Sequence, residues 1–338
     1  MIRHDAELGA ANTLGLACRA ERFAALESLA EARQVLAEAR RHGWPVSVLG
    51  GGSNLILRPW LPGLVVQADF ADWWLEPLDA DTVRVHVEAG MNWHSLVEAL
   101  AARELWGTEN LALIPGRVGA APIQNIGAYG VELADLLESV HLLYLDDGRE
   151  TVLSREECAF AYRDSVFKHA LHGRVLITRL VLRLSTRPAP RLGYGDLAAR
   201  LGPTPSASEV VAAVSRVRRE KLPDPAVLGN AGSFFKNPVV AAERARRLLA
   251  EYPGMPHFPL ADGSVKLAAG WLIDQCGLKG LREGRVGVHD RQALVLVHHG
   301  GASAEELLAL ARRVADTVAE RFGVTLEREP RLLGRALP

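Results

Sequence analysis

Val83, Val85 and Val87 alternate with Arg84, His86 and Glu88, the two-residue period of a strand with one buried face. A 3.6-residue period follows two Ser–Glu pairs. Ser206 with Glu209 precedes Val210, Val211, Val214 and Val217, and Ser303 with Glu306 precedes Leu307, Leu308, Leu310, Val314 and Val318. The hydroxyl and the carboxylate three residues on can satisfy the unpaired donors of a first helical turn. The same spacing in Ser28 with Glu31 predicts a helix closing near Gly43, and in Ser154 with Glu157 a short one; the last of the four closes near Gly323. Pro45–Leu49, Leu55–Leu57, Val175–Leu184 and Ala293–His298 predict strands, with Pro59 blocking a helix after the second. Prolines at 223 and 225 stop a helix and mark a break at Lys221–Pro225, and Arg187–Arg191 reads as a second linker. The pattern is mixed α/β throughout, without an internal repeat.

At 338 residues the chain has room for two or three domains. Lys+Arg of 39 against Asp+Glu of 40 lacks the basic excess of a protein devoted to nucleic acid. Cys18, Cys158 and Cys276 are few, odd in number and far apart, which argues against a disulfide scaffold and fits a reducing compartment; no CxxC pair offers a zinc site. The histidines give no ligand set, so no metal is expected. The first residues lack the apolar core of a signal peptide and no apolar run reaches membrane-spanning length, so the expected location is the cytoplasm without membrane insertion. No obligate protein partner is evident.

Five segments could carry chemistry. Gly50, Gly51 and Gly52, with Ser53 and Asn54, follow a strand and suit a tight turn whose N–H groups approach a phosphate. Neither the GxGxxG spacing nor a Gly-Lys-Ser/Thr ending is present, so this is neither a Rossmann fingerprint nor a P-loop. Ile114 to Gly130 is rich in glycine and proline and poor in charge, which suggests backbone pressed on a large flat ligand with amide side chains reading its edge; a plain buried loop is the alternative. Ser233, inside Gly229–Pro238, is a nucleophile, a proton donor or a turn residue, and lacks the GxSxG elbow of hydrolases. Arg163, between Tyr162 and Phe167, can fork onto a carboxylate or pair on the surface with Asp164. In the tail, Leu326 to Arg331 alternates charge as a late strand would, and one carboxylate facing inward would be functional.

Taken in this order, with PIQNIGAYG, YRDSVFK, GNAGSFFKNP and Lys266–Gly280 (KLAAGWLIDQCGLKG), the segments resemble the UDP-N-acetylenolpyruvoylglucosamine reductase (MurB) family from about Gly50 to Gly334. The glycine-rich strand–loop–strand alone resembles the wider FAD-binding superfamily of vanillyl-alcohol oxidase type, and Arg191–Asp196 resembles the tyrosine-bearing insertion of the longer, type I form. The resemblance implies an α+β (mixed α/β) fold of three domains: two forming a vanillyl-alcohol-oxidase-type FAD-binding fold and one binding the substrate. The first would span 1–70, with the tail at about 331–338 returning to it; the second 71–222, with the insertion near 187–200; the third, for the UDP-sugar, 223–330.

It further implies NADPH-dependent, FAD-mediated reduction of UDP-N-acetylglucosamine enolpyruvate to UDP-N-acetylmuramate in peptidoglycan synthesis, with hydride passing from flavin N5. Ser233 would protonate the substrate carbon, with Arg163 and Glu329 beside the enolpyruvyl carboxylate. Non-covalent FAD would lie on Gly50, Gly51, Gly52, Ser53, Asn54, Pro115, Gly116, Gly119, Ala120, Ala121, Ile123, Gln124, Asn125, Gly127, Ala128 and Tyr129. Ala120 and Ala121 stand where the family often has serines, so backbone donors would replace two hydroxyls. Tyr194, Lys221, Asn237 and Gln292 match positions that contact the UDP-sugar, Lys279 would meet its diphosphate, and Phe258 stands where a tyrosine is expected. Two further readings are open on the residues: another flavin oxidase or oxidoreductase of the superfamily, or a nucleotide-sugar binding protein without catalysis.

Overall fold

The computed structural model describes residues 1–336. The chain forms two compact units, one of Met1–Ala6, Ala20–Gly52 and Leu61–Glu220, the other of Glu7–Arg19, Ser53–Trp60 and everything from Lys221 onward. The break predicted at Lys221–Pro225 coincides with the boundary and with the end of a helix at Lys221.

The first unit holds two sheets. A four-stranded sheet runs in the order Arg3–Glu7, Arg19–Leu26, Trp60–Ala68, Val46–Val48, with the last two strands parallel. Helix α1 (Leu29–His42) buries Ala32, Val35, Leu36 and Ala39 in one cluster with Leu64 and Val66 of this sheet. Ser28 accepts the Glu31 N–H at 3.1 Å, but the Glu31 carboxylate turns to the Glu27 N–H at 2.8 Å, so only half of the expected box forms. Gly43 ends α1 in the left-handed conformation at φ 65°, which suits a residue without Cβ.

The second sheet is antiparallel, ordered Glu150–Ser154, Leu137–Tyr144, Val175–Ser185, Thr82–Glu88, Trp73–Pro77. Val83, Val85 and Val87 are 5%, 0% and 0% exposed, so the valine stripe faces the core as its alternation predicts. Against that face pack α2 (Trp93–Ala101) and α3 (Ala207–Lys221), the latter opened by reciprocal Ser206–Glu209 bonds. The short helix expected after Ser154 is a turn instead. Its box closes (2.8 and 3.2 Å) and Cys158 N–H reaches Ser154 O at 3.1 Å, but left-handed Ala159 at φ 47° stops propagation.

The second unit is built on a four-stranded antiparallel sheet, ordered Gly229–Ser233, Val295–His298, Val286–Val288, Arg282–Glu283. Around it lie α4 (Ala242–Glu251), α5 (Ala269–Gln275) and α6 (Ala304–Phe322), with α6 opened by a full Ser303–Glu306 box and closed by left-handed Gly323. Leu307, Leu310, Val314 and Val318 of α6 are fully buried, as their period requires. The late strand expected at Leu326–Arg331 is displaced: Arg328 makes only an isolated bridge to Phe235, Pro330 has no N–H to extend a ladder, and the strand is Arg331–Leu333, parallel to Leu55–Leu57. The tail's final two residues, 337 and 338, lie outside the described residues. No described helix is long and apolar enough to cross a membrane.

Candidate active site

In the first unit, two loops meet backbone to backbone. A Cβ on Gly51 would lie 2.7 Å from Gly116 Cα, and one on Gly50 would lie 3.0 Å from Ala120 Cβ. Gly119 is as tightly placed, 2.7 Å from Ala89 Cβ, and its N–H donates to Ala89 O at 2.9 Å. Gln67 fixes the first loop by donating to Gly50 O at 2.6 Å. Glycine is therefore required at 51 by space and favoured at 52 by its φ of 63°. Val118–Ala120 is a single 3-10 turn, Pro115 is exposed, and Gly116, Ala120, Ile123, Gln124, Gly127, Ala128 and Tyr129 are half-buried, while Ala121 is buried. The two loops thus offer a lining of small residues and backbone.

Three non-glycine residues here have left-handed backbones: Asn125 at φ 46°, Tyr129 at 50° and Arg163 at 54°. Such conformations persist only where surrounding contacts enforce them. Asn125 is 1% exposed; its amide donates to Glu132 Oε2 (2.7 Å) and Ala161 O (3.2 Å), and its Oδ1 accepts from Ala134 N–H (3.0 Å). Its side chain therefore braces the loop. Tyr129 is held by Asn110, which donates to Tyr129 O at 2.8 Å, and its ring meets Tyr194 edge-on at 5.6 Å. Arg163 donates through Nη2 to Gly127 O at 3.0 Å, and Lys168 donates to Arg163 O at 2.9 Å. The alternative Arg163–Asp164 surface pair does not form: Asp164 takes His169 at 2.7 Å. Burial opposes its charge, yet the bonds from His169 and the Ser165 N–H hold the Asp164 carboxyl below its usual range.

Arg218, in the last turn of α3, escaped the sequence reading. Its Nε is buried without a hydrogen bond, and it makes no ion pair among the described residues. Burial pushes its guanidinium below the ordinary range; its electrostatic neighbours are the Tyr129 phenol and the Arg163 guanidinium. A buried cation beside a second cation, with no carboxylate, is poised for an anion. The signal was in the sequence: Arg218 stands four residues after Val214, on the apolar stripe of α3, hidden within Arg216-Val217-Arg218-Arg219.

The second unit assembles the other group. Strand Gly229–Ser233 breaks register between Asn230 and Ser233, where Gly232 is left-handed at φ 68° and its N–H bonds to Asn230 Oδ1 at 2.9 Å. This bulge leaves Ser233 half-buried at the strand end, as bulges do where a side chain is re-aimed. Phe234 beyond it is fully buried; its N–H donates to Leu294 O at 2.7 Å and its carbonyl accepts the Glu329 N–H at 2.9 Å. The Ser233 and Glu329 segments are thus locked together. Glu327, two residues earlier, is instead paired to Lys236. Asn237 caps α5 by accepting the Ala269 N–H at 3.0 Å, and a Cβ on the next helix residue, Gly270, would lie 3.1 Å from Gln292 Oε1. Asn237 and Gln292 therefore both stand at the start of α5.

The remaining expected residues are spread. Phe258 is 42% exposed under the Lys266 ammonium at 5.6 Å, Lys279 donates to Asp274 at 2.7 Å, Lys221 is exposed, and Asn54 accepts the Arg331 N–H at 3.0 Å, with Ser53 half-buried beside it.

Residues 20–154 match the family model of an FAD binding domain. With the two facing glycine loops this defines the chain's class as an FAD-binding protein. Residues 224–333 match the model of the UDP-N-acetylenolpyruvoylglucosamine reductase C-terminal domain. A protein named UDP-N-acetylenolpyruvoylglucosamine reductase in Chromobacterium violaceum is 54% identical over 339 residues, spanning 98% of this chain and 99% of that one. Its namesake in Pseudomonas aeruginosa is 50% identical over 325 residues, 95% and 96% of the two chains. The crystal structure of the reductase from Thermus caldophilus superposes with a TM-score of 0.68 at 28% identity, covering 99% of this chain and 100% of its own. The chain belongs to the UDP-N-acetylenolpyruvoylglucosamine reductase family.

Proposed function

We propose that the protein reduces the enolpyruvyl group of UDP-N-acetylglucosamine enolpyruvate to give UDP-N-acetylmuramate, a peptidoglycan precursor, with FAD as cofactor and NADPH as co-substrate. The observation that carries this reading is the bulge that sets Ser233 next to the carbonyl holding Glu329. The chain's residues fit an FAD: loops at Gly50–Gly52 and Pro115–Tyr129 that lie backbone to backbone because glycines lack Cβ atoms, and the Arg218 guanidinium, whose Nε is buried without a hydrogen bond. The vanillyl-alcohol-oxidase-type division into domains 1–70, 71–222 and 223–330 rests on the family resemblance, and the boundary near 222 is supported by the end of the first unit at Glu220. Sparse, unpaired cysteines support a cytoplasmic site of action.

FAD, when bound, supplies the two-electron chemistry and relays the electrons of NADPH. Reduction at the methylene carbon leaves negative charge on the neighbouring carbon and its carboxylate. Arg163, preset by its left-handed backbone and by Gly127 and Lys168, stabilises that charge without reorganising. Ser233 delivers the proton that completes the saturated product, and Glu329 flanks the same carboxylate. Tyr194, Lys221, Asn237, Gln292 and Lys279 hold the UDP-sugar. Arg218 supplies the second cation of the site. Its proximity to Arg163 and Tyr129 supports this assignment.

Two variants test the cofactor assignment. Gly51→Ala puts a Cβ into Gly116, so it is expected to purify with at least about tenfold weaker FAD affinity, near 1.4 kcal/mol. The flavin-to-protein absorbance ratio during FAD titration reads this directly, and a wild-type ratio at low FAD would count against the loop assignment. Arg218→Met replaces an unpaired buried charge by an apolar chain. The FAD-free protein is expected to gain roughly 1–3 kcal/mol in denaturant unfolding while turnover falls at least about tenfold. Lower stability with unchanged turnover would mean that Arg218 is structural.

A further inference from the structure

A cavity of about 400 Å³ in the first unit belongs to none of the loops described above. That volume is in the range of small-molecule sites. It opens on the face of the five-stranded sheet opposite the valine stripe, beneath Leu29 at the start of α1 and Phe70. Its floor is one row across four strands: Val152, His141, Arg179 and Glu88 are successive cross-strand partners.

The row is chemically incomplete at Arg179. Its Nη2 lies 3.0 and 3.1 Å from the two ring nitrogens of His141, only one of which can accept in a neutral imidazole. Burial first, then the Arg179 charge, push His141 down to about 4, so the ring is neutral at physiological pH. Arg179 Nε is buried with no hydrogen bond, and no carboxylate pairs with the guanidinium among the described residues. Its cross-strand partner Glu88 bonds to the Asp72 N–H at 2.9 Å, and Glu150 at the rim is taken by Arg33 at 2.7 Å. The face of Trp74 lies 5.3 Å away on the other side. Apart from the Nη2 contact with the neutral His141 ring, nothing balances the guanidinium, which lines the cavity as a cation that a carboxylate can pair with. Leu29, Phe70 and Val152 give the lining an apolar part, beside the hydroxyls of Thr151 and Thr178.

We propose that this cavity is a second ligand site, separate from the flavin loops, which binds a small carboxylic acid with an apolar body through Arg179. The carboxylate pairs with the Arg179 guanidinium and the hydrocarbon part lies against Leu29, Phe70 and Val152. The apolar part of the lining selects against a bare hydrated anion.

The test is calorimetric titration of the full-length, FAD-loaded protein with sodium octanoate, and separately with inorganic phosphate. Saturable octanoate binding is expected, weakened at least about tenfold in R179M and intermediate in R179K, which keeps the charge but loses the fork. V152W keeps Arg179 and fills the mouth, so it too is expected to abolish binding, and it serves if R179M does not fold. The proposal is overturned if octanoate shows no saturable heat, if R179M or V152W binds like wild type, or if phosphate competes as well as octanoate does.

Discussion

Ser233→Ala keeps the bleaching of FAD by NADPH and loses its reoxidation by UDP-N-acetylglucosamine enolpyruvate, slowed by about 10²–10⁴-fold, the range of a positioned proton donor. The two halves separate because Ser233 is assigned to the proton alone. The change removes one oxygen from a half-buried position at a strand end, while the anchors of the segment are backbone bonds from Phe234 to Leu294 and Glu329 that alanine retains. Stopped-flow absorbance reads each half in turn. Reoxidation by the UDP-sugar at the wild-type rate would remove Ser233 from the mechanism.

Arg163→Met is expected to lower the rate of the same half-reaction by about 10²–10³-fold, roughly 3–4 kcal/mol, the scale of losing one preorganised donor at a developing charge. Arg163→Lys is expected to recover only part, since an ammonium is a point charge without the planar fork. Arg163 sits at φ 54° with its carbonyl bonded by Lys168 and its Nη2 bonded to Gly127 O, contacts that orient it before substrate arrives. A loss confined to KM with kcat unchanged would make Arg163 a binding residue rather than a stabiliser of charge.

Much of the frame was legible because strong local signals agreed with tertiary structure. The serine–glutamate pairs before α3 and α6 formed both bonds, and the valine alternation faced the core. The misses were places where one local signal stood without support. Ser154–Glu157 closed its box, but no apolar stripe followed to reward further turns. Helix α2 was overlooked because its cap is Asn92, bonded to the Ser95 N–H at 3.0 Å, rather than a Ser–Glu box. The site was legible as motifs. Its internal division of labour was not, because it depends on long-range contacts. The Asn125 side chain is bonded to Glu132, Ala161 and Ala134. Arg218, within a run of arginines at the end of α3, has a buried Nε and Tyr129 and Arg163 as electrostatic neighbours. The grip of Phe234 O on the Glu329 N–H joins segments far apart in sequence, and no spacing rule could have revealed it.

The central claim is that FAD bound to this chain passes electrons from NADPH to an enolpyruvyl UDP-sugar. Its most direct test is the anaerobic visible spectrum of the purified protein, first with NADPH and then with UDP-N-acetylglucosamine enolpyruvate. The account predicts a yellow protein that NADPH bleaches and the UDP-sugar restores, one equivalent for one. A colourless protein that takes up no FAD, or a bleached flavin that oxygen reoxidises but the UDP-sugar does not, would contradict it.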